Sequence, residues 1–85
     1  MLSVAHDPGE ALEQAEALRL LHSVLNDLDD RRREVFVMSE LEQLPMVDIA
    51  ALLGINVNAA YARVRVARQA FERALARRRL VGRAE

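Results

Sequence analysis

"MVDIAALLGINVNAAYARVRVARQAF", residues 46–71, divides at Gly54 into two apolar-periodic pieces of unequal length. Before the glycine, Ile49, Leu52 and Leu53 fall on one helical face and Asp48 on another, which predicts a short amphipathic helix over 45–53. Pro45 suits its opening, because a first helical turn has no use for the missing N–H and the residue before proline is pushed out of helical conformation. Gly54 suits its end, since only glycine takes positive φ without a Cβ penalty. Asn56 is then a good N-cap for a second piece. There Ala60, Val64, Ala67, Phe71 and Leu75 keep one face for more than four turns. That helix should reach about residue 78, roughly 33 Å at 1.5 Å per residue.

Upstream, the same periodicity predicts two more helices. Pro8 fits a first turn, with Asp7 as N-cap and Glu10 completing a capping box. Leu12, Ala15, Leu18, Leu21, Leu25 and Leu28 recur at spacings of three and four, so a first helix is expected over about 8–28. Asp29 or Asp30 can cap the next, expected over about 30–42, whose stripe runs through Val35, Met38 and Leu41 with Phe36 and Val37 beside it. Residues 1–7 lack periodicity and read as a tail or linker end, 8–80 as the domain, and 81–85 as a flexible C-terminus. The expected fold is all-α, with four helices in one domain.

Length and composition agree with this reading. A chain of 85 residues is one domain at most and buries only roughly 60% of its unfolded surface. Apolar residues make up 52%, while Gly and Pro total five, which favours helices packed on Leu, Val and Ala and excludes disorder. The absence of cysteine excludes a disulfide frame, a thiolate metal site and a thiol nucleophile. No stretch has the length of a signal peptide's apolar run or of a membrane span, so a cytoplasmic location with no membrane partner is expected. The net charge of −1 conceals a strong asymmetry. Residues 1–45 hold four Arg against ten acids, and residues 46–85 hold eight Arg against three acids. Every cation is arginine, the residue whose planar fork suits phosphate.

Two helices joined by a short glycine turn, the second amphipathic and cationic, make a helix-turn-helix pattern, so the all-α fold is expected to be a four-helix helix-turn-helix domain of the winged-helix-like DNA-binding class without the wing. Ala50 is small where the helices cross, and Ile55 and Val57 plug the corner. In such a unit the N-terminal residues of the second helix meet base edges in the major groove while neighbouring cations grip phosphates. Arg65 and Arg68 share one row, which Glu72 ends, and Arg63 lies on the next, equally placed for phosphate or for an ion pair with Glu34. Arg73, Arg77, Arg78 and Arg79 read as a solvated turn that complements the helix dipole.

Over about residues 10–75, including the stretch "LNDLDDRRREVFVMSELEQLPMVDIAALLGINVNAAYARVRVARQAF", residues 25–71, the chain resembles the C-terminal region 4 of bacterial sigma factors, especially the small extracytoplasmic-function group. That family follows a Leu-rich helix with a stretch close to L-x-x-x-x-R-x-V-F, then "IAELLGI", then a recognition helix close to T-V-K-S-R-L-x-R-A-R. Arg33, Glu34, Val35 and Phe36 match the second-helix signature. Ile49, Ala50, Leu52, Leu53 and Gly54 match the first helix of the motif, and Arg63, Ala67 and Arg68 match the recognition helix. The departures fall at the base-reading turn: Ala59, Tyr61 and Ala62 stand where the family usually has Thr, Lys and Ser, and Val66 stands where Arg is common. Asn58 and Tyr61 remain to reach bases, and Ala59 or Ala62 to touch a thymine methyl.

The resemblance implies a DNA-binding transcription initiation module that recognises a promoter −35-like element in double-stranded DNA and docks on the flap of the RNA polymerase β subunit. The DNA-binding residues are then Asn58, Ala59, Tyr61, Ala62, Arg63, Arg65 and Arg68. Region 2 of the family has no counterpart in the 85 residues, so the chain is expected to be a fragment, an excised domain or a truncated frame. The alternative is a helical protein-interaction domain that binds the flap or an anti-sigma factor with little DNA specificity, through Val37, Leu44, Met46 and Val47. A homodimer through Ala70, Phe71, Ala74 and Leu75 competes with covering the first helix, so a monomer is expected.

Catalysis finds no constellation. His6 and His22 lack a second ligand at metal spacing, Ser3, Ser23 and Ser39 lack a base, and Asp29 and Asp30 read as caps. No phosphate-cradling glycine loop occurs. A non-enzyme without metal or cofactor is expected.

Overall fold

A computed structural model describes residues 8–84, with side chains through Val81. The expected tail over 1–7, including Asp7 as a cap, His6 and Ser3, lies outside the described residues. Helix α1 spans Pro8–Asn26, α2 Asp30–Phe36, α3 Met46–Leu53 and α4 Val57–Ala84, and a π-helical turn, Val37–Leu41, prolongs α2. Among the described residues there is no strand, and no helix is long and apolar enough to cross a membrane.

The joint between α1 and α2 is made by one arginine. The last turn of α1 tightens, with the Leu28 N–H donating to the Leu25 carbonyl at 3.1 Å. Arg33 then donates through Nε to the Leu25 carbonyl at 2.8 Å and through Nη2 to the Leu28 carbonyl at 2.7 Å, satisfying acceptors that a helix end leaves open. Asp29 caps α2: its carboxylate accepts from the Arg32 N–H at 2.8 Å. Leu28 therefore sits in the connection and not in the helix, and α1 ends two residues before the expected boundary at 28.

The second helix departs from a single α-helix over 30–42. Its end widens, so that the Glu42 N–H bonds the Val37 carbonyl five residues back, at 2.8 Å, and the Leu44 N–H bonds the Met38 carbonyl at 2.9 Å. Between them Gln43 takes φ 56, the left-handed region. No glycine is present where the chain reverses, so a glutamine bears the strained conformation.

Pro45 is extended and precedes α3, which begins at Met46, one residue later than expected. Gly54 closes α3 at φ 69, with its N–H on the Ala51 carbonyl and the Ile55 N–H on the Ala50 carbonyl, the paired closure of a helix ending in left-handed glycine. A Cβ added there would meet nothing within 4 Å, so glycine is needed for its backbone freedom and not for space. The Asn56 side chain caps α4 by accepting from the Ala59 N–H at 2.8 Å. This helix runs past the expected end near Arg78 and takes in residues 81–84: Arg79, Leu80, Arg83 and Ala84 are good helix formers, no proline follows Arg78, and the helix tolerates Gly82.

The core is Val24 and Leu28 from the first helix and its joint, Val35, Phe36 and Met38 from the second, Ile49 and Ala50 from α3, and Ala60, Val64, Ala67 and Ala74 from α4. The α4 stripe is thus largely as expected, with Phe71 and Leu75 packed partly against it. The α1 stripe is not. Leu12 and Leu18 are 57% and 56% exposed; only the stripe's C-terminal members Leu25 and Leu28 reach the core, beside the buried Val24 and the partly buried Leu20. The domain measures 45 × 39 × 15 Å. In so flat a body α1 meets the other helices only through its C-terminal part, and a periodic stripe beyond that has nothing to cover it.

Candidate nucleic-acid interface

The Gly54 corner sends α4 away from α3 with its aliphatic side inward. Ala60, Val64 and Ala67 are buried at spacings of four and three, which turns the residues between them to solvent. Asn58, Tyr61, Ala62, Arg63, Arg65 and Arg68 are exposed, and Ala59 is half-buried. The expected DNA-binding residues therefore lie on the outer side of the first three turns of α4. Tyr61 is 53% exposed and Val66 44%, so the outward surface is partly apolar.

The arginines differ in what holds them. Arg68 donates through Nη2 to the Glu40 carboxylate, on the π-helical turn of the second helix. That bond, followed by the Coulombic attraction of the same carboxylate, raises the Arg68 guanidinium above its ordinary range. The widened turn after Phe36 is what carries Glu40. Arg78 makes a two-pronged contact with Asp27, Nε and Nη2 each 2.8 Å from a carboxylate oxygen. This pair ties α4 to the end of α1 and lowers the Asp27 carboxyl, chiefly through the hydrogen bond. Arg78 is thus part of the scaffold and not of a solvated turn, whereas Arg73, Arg77 and Arg79 are exposed.

Arg63 forms no ion pair with Glu34. Instead the two share the lining of an open groove with Arg31 and Arg32, over an apolar floor that includes Leu53 and Val66. Ala62 belongs to the same lining, so the groove opens beside the outer face of α4.

The expected protein-partner residues do not behave alike. Val47 is 61% exposed on α3, and Leu41 and Leu52 are exposed as well. Leu44 and Met46 pack partly against the core, and Val37 is half-buried beside a shallow depression with Asp30 and Glu42. Sequence reasoning missed the Arg33 clamp, the Glu40 contact and the place of Arg31. The run Arg31-Arg32-Arg33 just after Asp29 and Asp30 is a signal for the Arg33 clamp alone.

A short helix, a left-handed glycine corner and a longer cationic helix, braced from behind by two further helices, define a DNA-binding domain of the helix-turn-helix class. A family model described as "Sigma-70, region 4" matches residues 18–71. The ferric citrate uptake sigma factor FecI of Escherichia coli strain K12 is 39% identical over 54 residues, which cover 64% of this chain and 31% of that protein. No solved structure gives a significant match. The chain belongs to the sigma-70 region 4 family, a non-enzymatic transcription-factor domain. It spans about a third of the length of the relative it matches.

Proposed function

We propose that this domain serves transcription initiation as region 4 of a sigma factor, in the cytoplasm and as a monomer. The first turns of α4 lie in the major groove of a promoter −35-like element, and the domain docks on the β-subunit flap of RNA polymerase. The observation that carries the reading is that α4, launched by the Gly54 corner, turns Arg63, Arg65 and Arg68 outward from its second turn onward. Asn58 and Tyr61 meet base edges, Ala59 and Ala62 offer methyl contacts to thymine, and Arg63 and Arg65 hold phosphates. With so few polar groups at the base-reading turn, most of the affinity comes from the backbone and is strongly salt-dependent.

Fluorescence anisotropy with a labelled duplex across a range of salt tests this. Binding should weaken linearly in log salt, by a slope of about 0.9 per phosphate held, and Arg65→Ala should remove about one such increment. Asn58→Ala should change the ranking of promoter duplexes. Salt-insensitive binding, or none at high protein concentration, would reject the DNA reading.

One observation favours a second reading: Val47 and Leu52 are 61% and 67% exposed on α3 while the base-reading turn is poor in donors. A domain bound mainly to the flap or to an anti-sigma factor would use Val47, with Val37, Leu44 and Met46 contributing the parts of their surfaces that the core leaves open. In that case Val47→Glu abolishes capture by the isolated flap or the cognate anti-sigma factor, and duplex DNA shows no salt-dependent binding.

A further inference from the structure

The positive charge of α4 is less available than its row of arginines suggests. Arg68 is engaged by Glu40 and Arg78 by Asp27. On the flank of α4 that faces the first turns of α2, the balance is reversed. Arg31, Arg32 and Arg63 line one open groove there against a single carboxylate, Glu34. Arg32 spends one nitrogen on Asp29, at 3.1 Å, and its side chain remains 51% exposed. Arg31 and Arg63 are exposed, and neither has an ion pair or side-chain hydrogen bond among the described residues.

We propose that this groove is a second phosphate grip, in which Arg31 of α2 and Arg63 of α4 hold the DNA backbone from two sides. Guanidinium forks match phosphate oxygens in pairs, and two forks from different helices fix the backbone's direction as well as its charge. Leu53 and Val66 form a floor that suits the apolar face of a deoxyribose. Ala62 links the groove to the base-reading turn, because it belongs to both, so a duplex seated against Ala62 runs its backbone past the groove mouth. Glu34 sets the limit on affinity by opposing the phosphate charge. The proposal rests on the reading that α4 meets duplex DNA, and it extends that interface to a helix outside the helix-turn-helix itself.

The test compares wild type, Arg31→Ala and Glu34→Gln by anisotropy, on a −35-like duplex and on a scrambled duplex, across a salt series. Arg31→Ala should lower affinity by the same factor on both duplexes and reduce the salt slope by about 0.9. Glu34→Gln should tighten binding on both. Because the Arg31 side chain makes no hydrogen bond or ion pair among the described residues, its variant should melt with wild type, which separates a lost contact from a lost fold. If wild type binds with the expected salt dependence and both variants keep its slope and affinity, the groove proposal falls while the α4 reading stands. Loss confined to one duplex would mean a base contact and would also overturn it. If wild type shows no salt-dependent binding, the α4 reading falls and the groove falls with it.

Discussion

The rings of Phe36 and Phe71 lie stacked, 4.1 Å between centroids and 11° from parallel, and so join the second helix to the middle of α4. Phe36 is buried and Phe71 half-buried. Phe36→Ala should therefore cost about 3–5 kcal/mol and Phe71→Ala somewhat less. At about 0.05–0.15 kcal/mol per residue, a chain this short can barely survive the larger loss. The gentler pair Phe36→Leu and Phe71→Leu, taken through a double-mutant cycle in urea, should show a coupling of about 0.5–1.5 kcal/mol. Additive losses would mean that the rings merely fill space.

Among the described residues two hold the left-handed conformation, Gln43 at φ 56 and Gly54 at φ 69, and substitutions at them should act in opposite directions. Gln43→Gly removes a strain of about 1–2 kcal/mol and adds about 0.4–1 kcal/mol of unfolded-state freedom, so a net gain of up to about 1.6 kcal/mol is expected. Gly54→Ala should cost about 1–2 kcal/mol of backbone strain, with no clash because the added methyl meets no neighbour, offset in part by about 0.4–1 kcal/mol of lost unfolded-state freedom. Thermal melts of both variants check the pair. A neutral or destabilising Gln43→Gly would show that the turn carries no strain.

The Asp27 and Arg78 pair should make stability sensitive to acid. Asp27 is held below its ordinary value of 3.8 in the folded domain, chiefly by the hydrogen bond from Arg78. A carboxyl with a depressed folded pKa stabilises fully above its unfolded value, and that contribution fades as pH falls through the folded value. Melting curves of wild type and Asp27→Asn should thus differ by a constant amount at neutral pH and converge below the ordinary value of 3.8. A gap that stays constant into strong acid would show that the pair contributes no ionic stabilisation.

The contact of Arg68 with Glu40 predicts an unequal effect of removing Arg68. In wild type, Arg68→Ala should change the salt slope of duplex binding by well under the roughly 0.9 expected of a free phosphate contact. In a Glu40→Gln background the guanidinium is released, and the same substitution should then remove close to the full increment. Equal effects in both backgrounds would show that DNA displaces Glu40 readily.

Much of this was readable in the residues themselves. Helix number and order, the Asn56 and Asp29 caps and the Gly54 closure follow from side-chain chemistry acting over a few residues, and such signals survive without knowledge of the fold. The sequence reading failed where distance in the chain was large or where one partner was missing. Leu12 and Leu18 have a helical period but no surface to cover them. Arg78 finds Asp27 fifty-one residues away, and Arg68 finds Glu40 only because the second helix widens into a π turn. Nothing in the local pattern marks that extra residue. The groove between α2 and α4 was illegible for the same reason: Arg31 and Arg63 become neighbours only when the two helices pack.

Along its shortest axis the fold extends only 15 Å, and each of its helices keeps one side in solvent. No rod in such a plate is enclosed, so a ligand on either broad surface also shields elements that hold the chain together. Occupancy and lifetime are then coupled: at a hundredfold excess over Kd, a ligand adds about 2.7 kcal/mol to unfolding and makes the protease-sensitive open form correspondingly rarer.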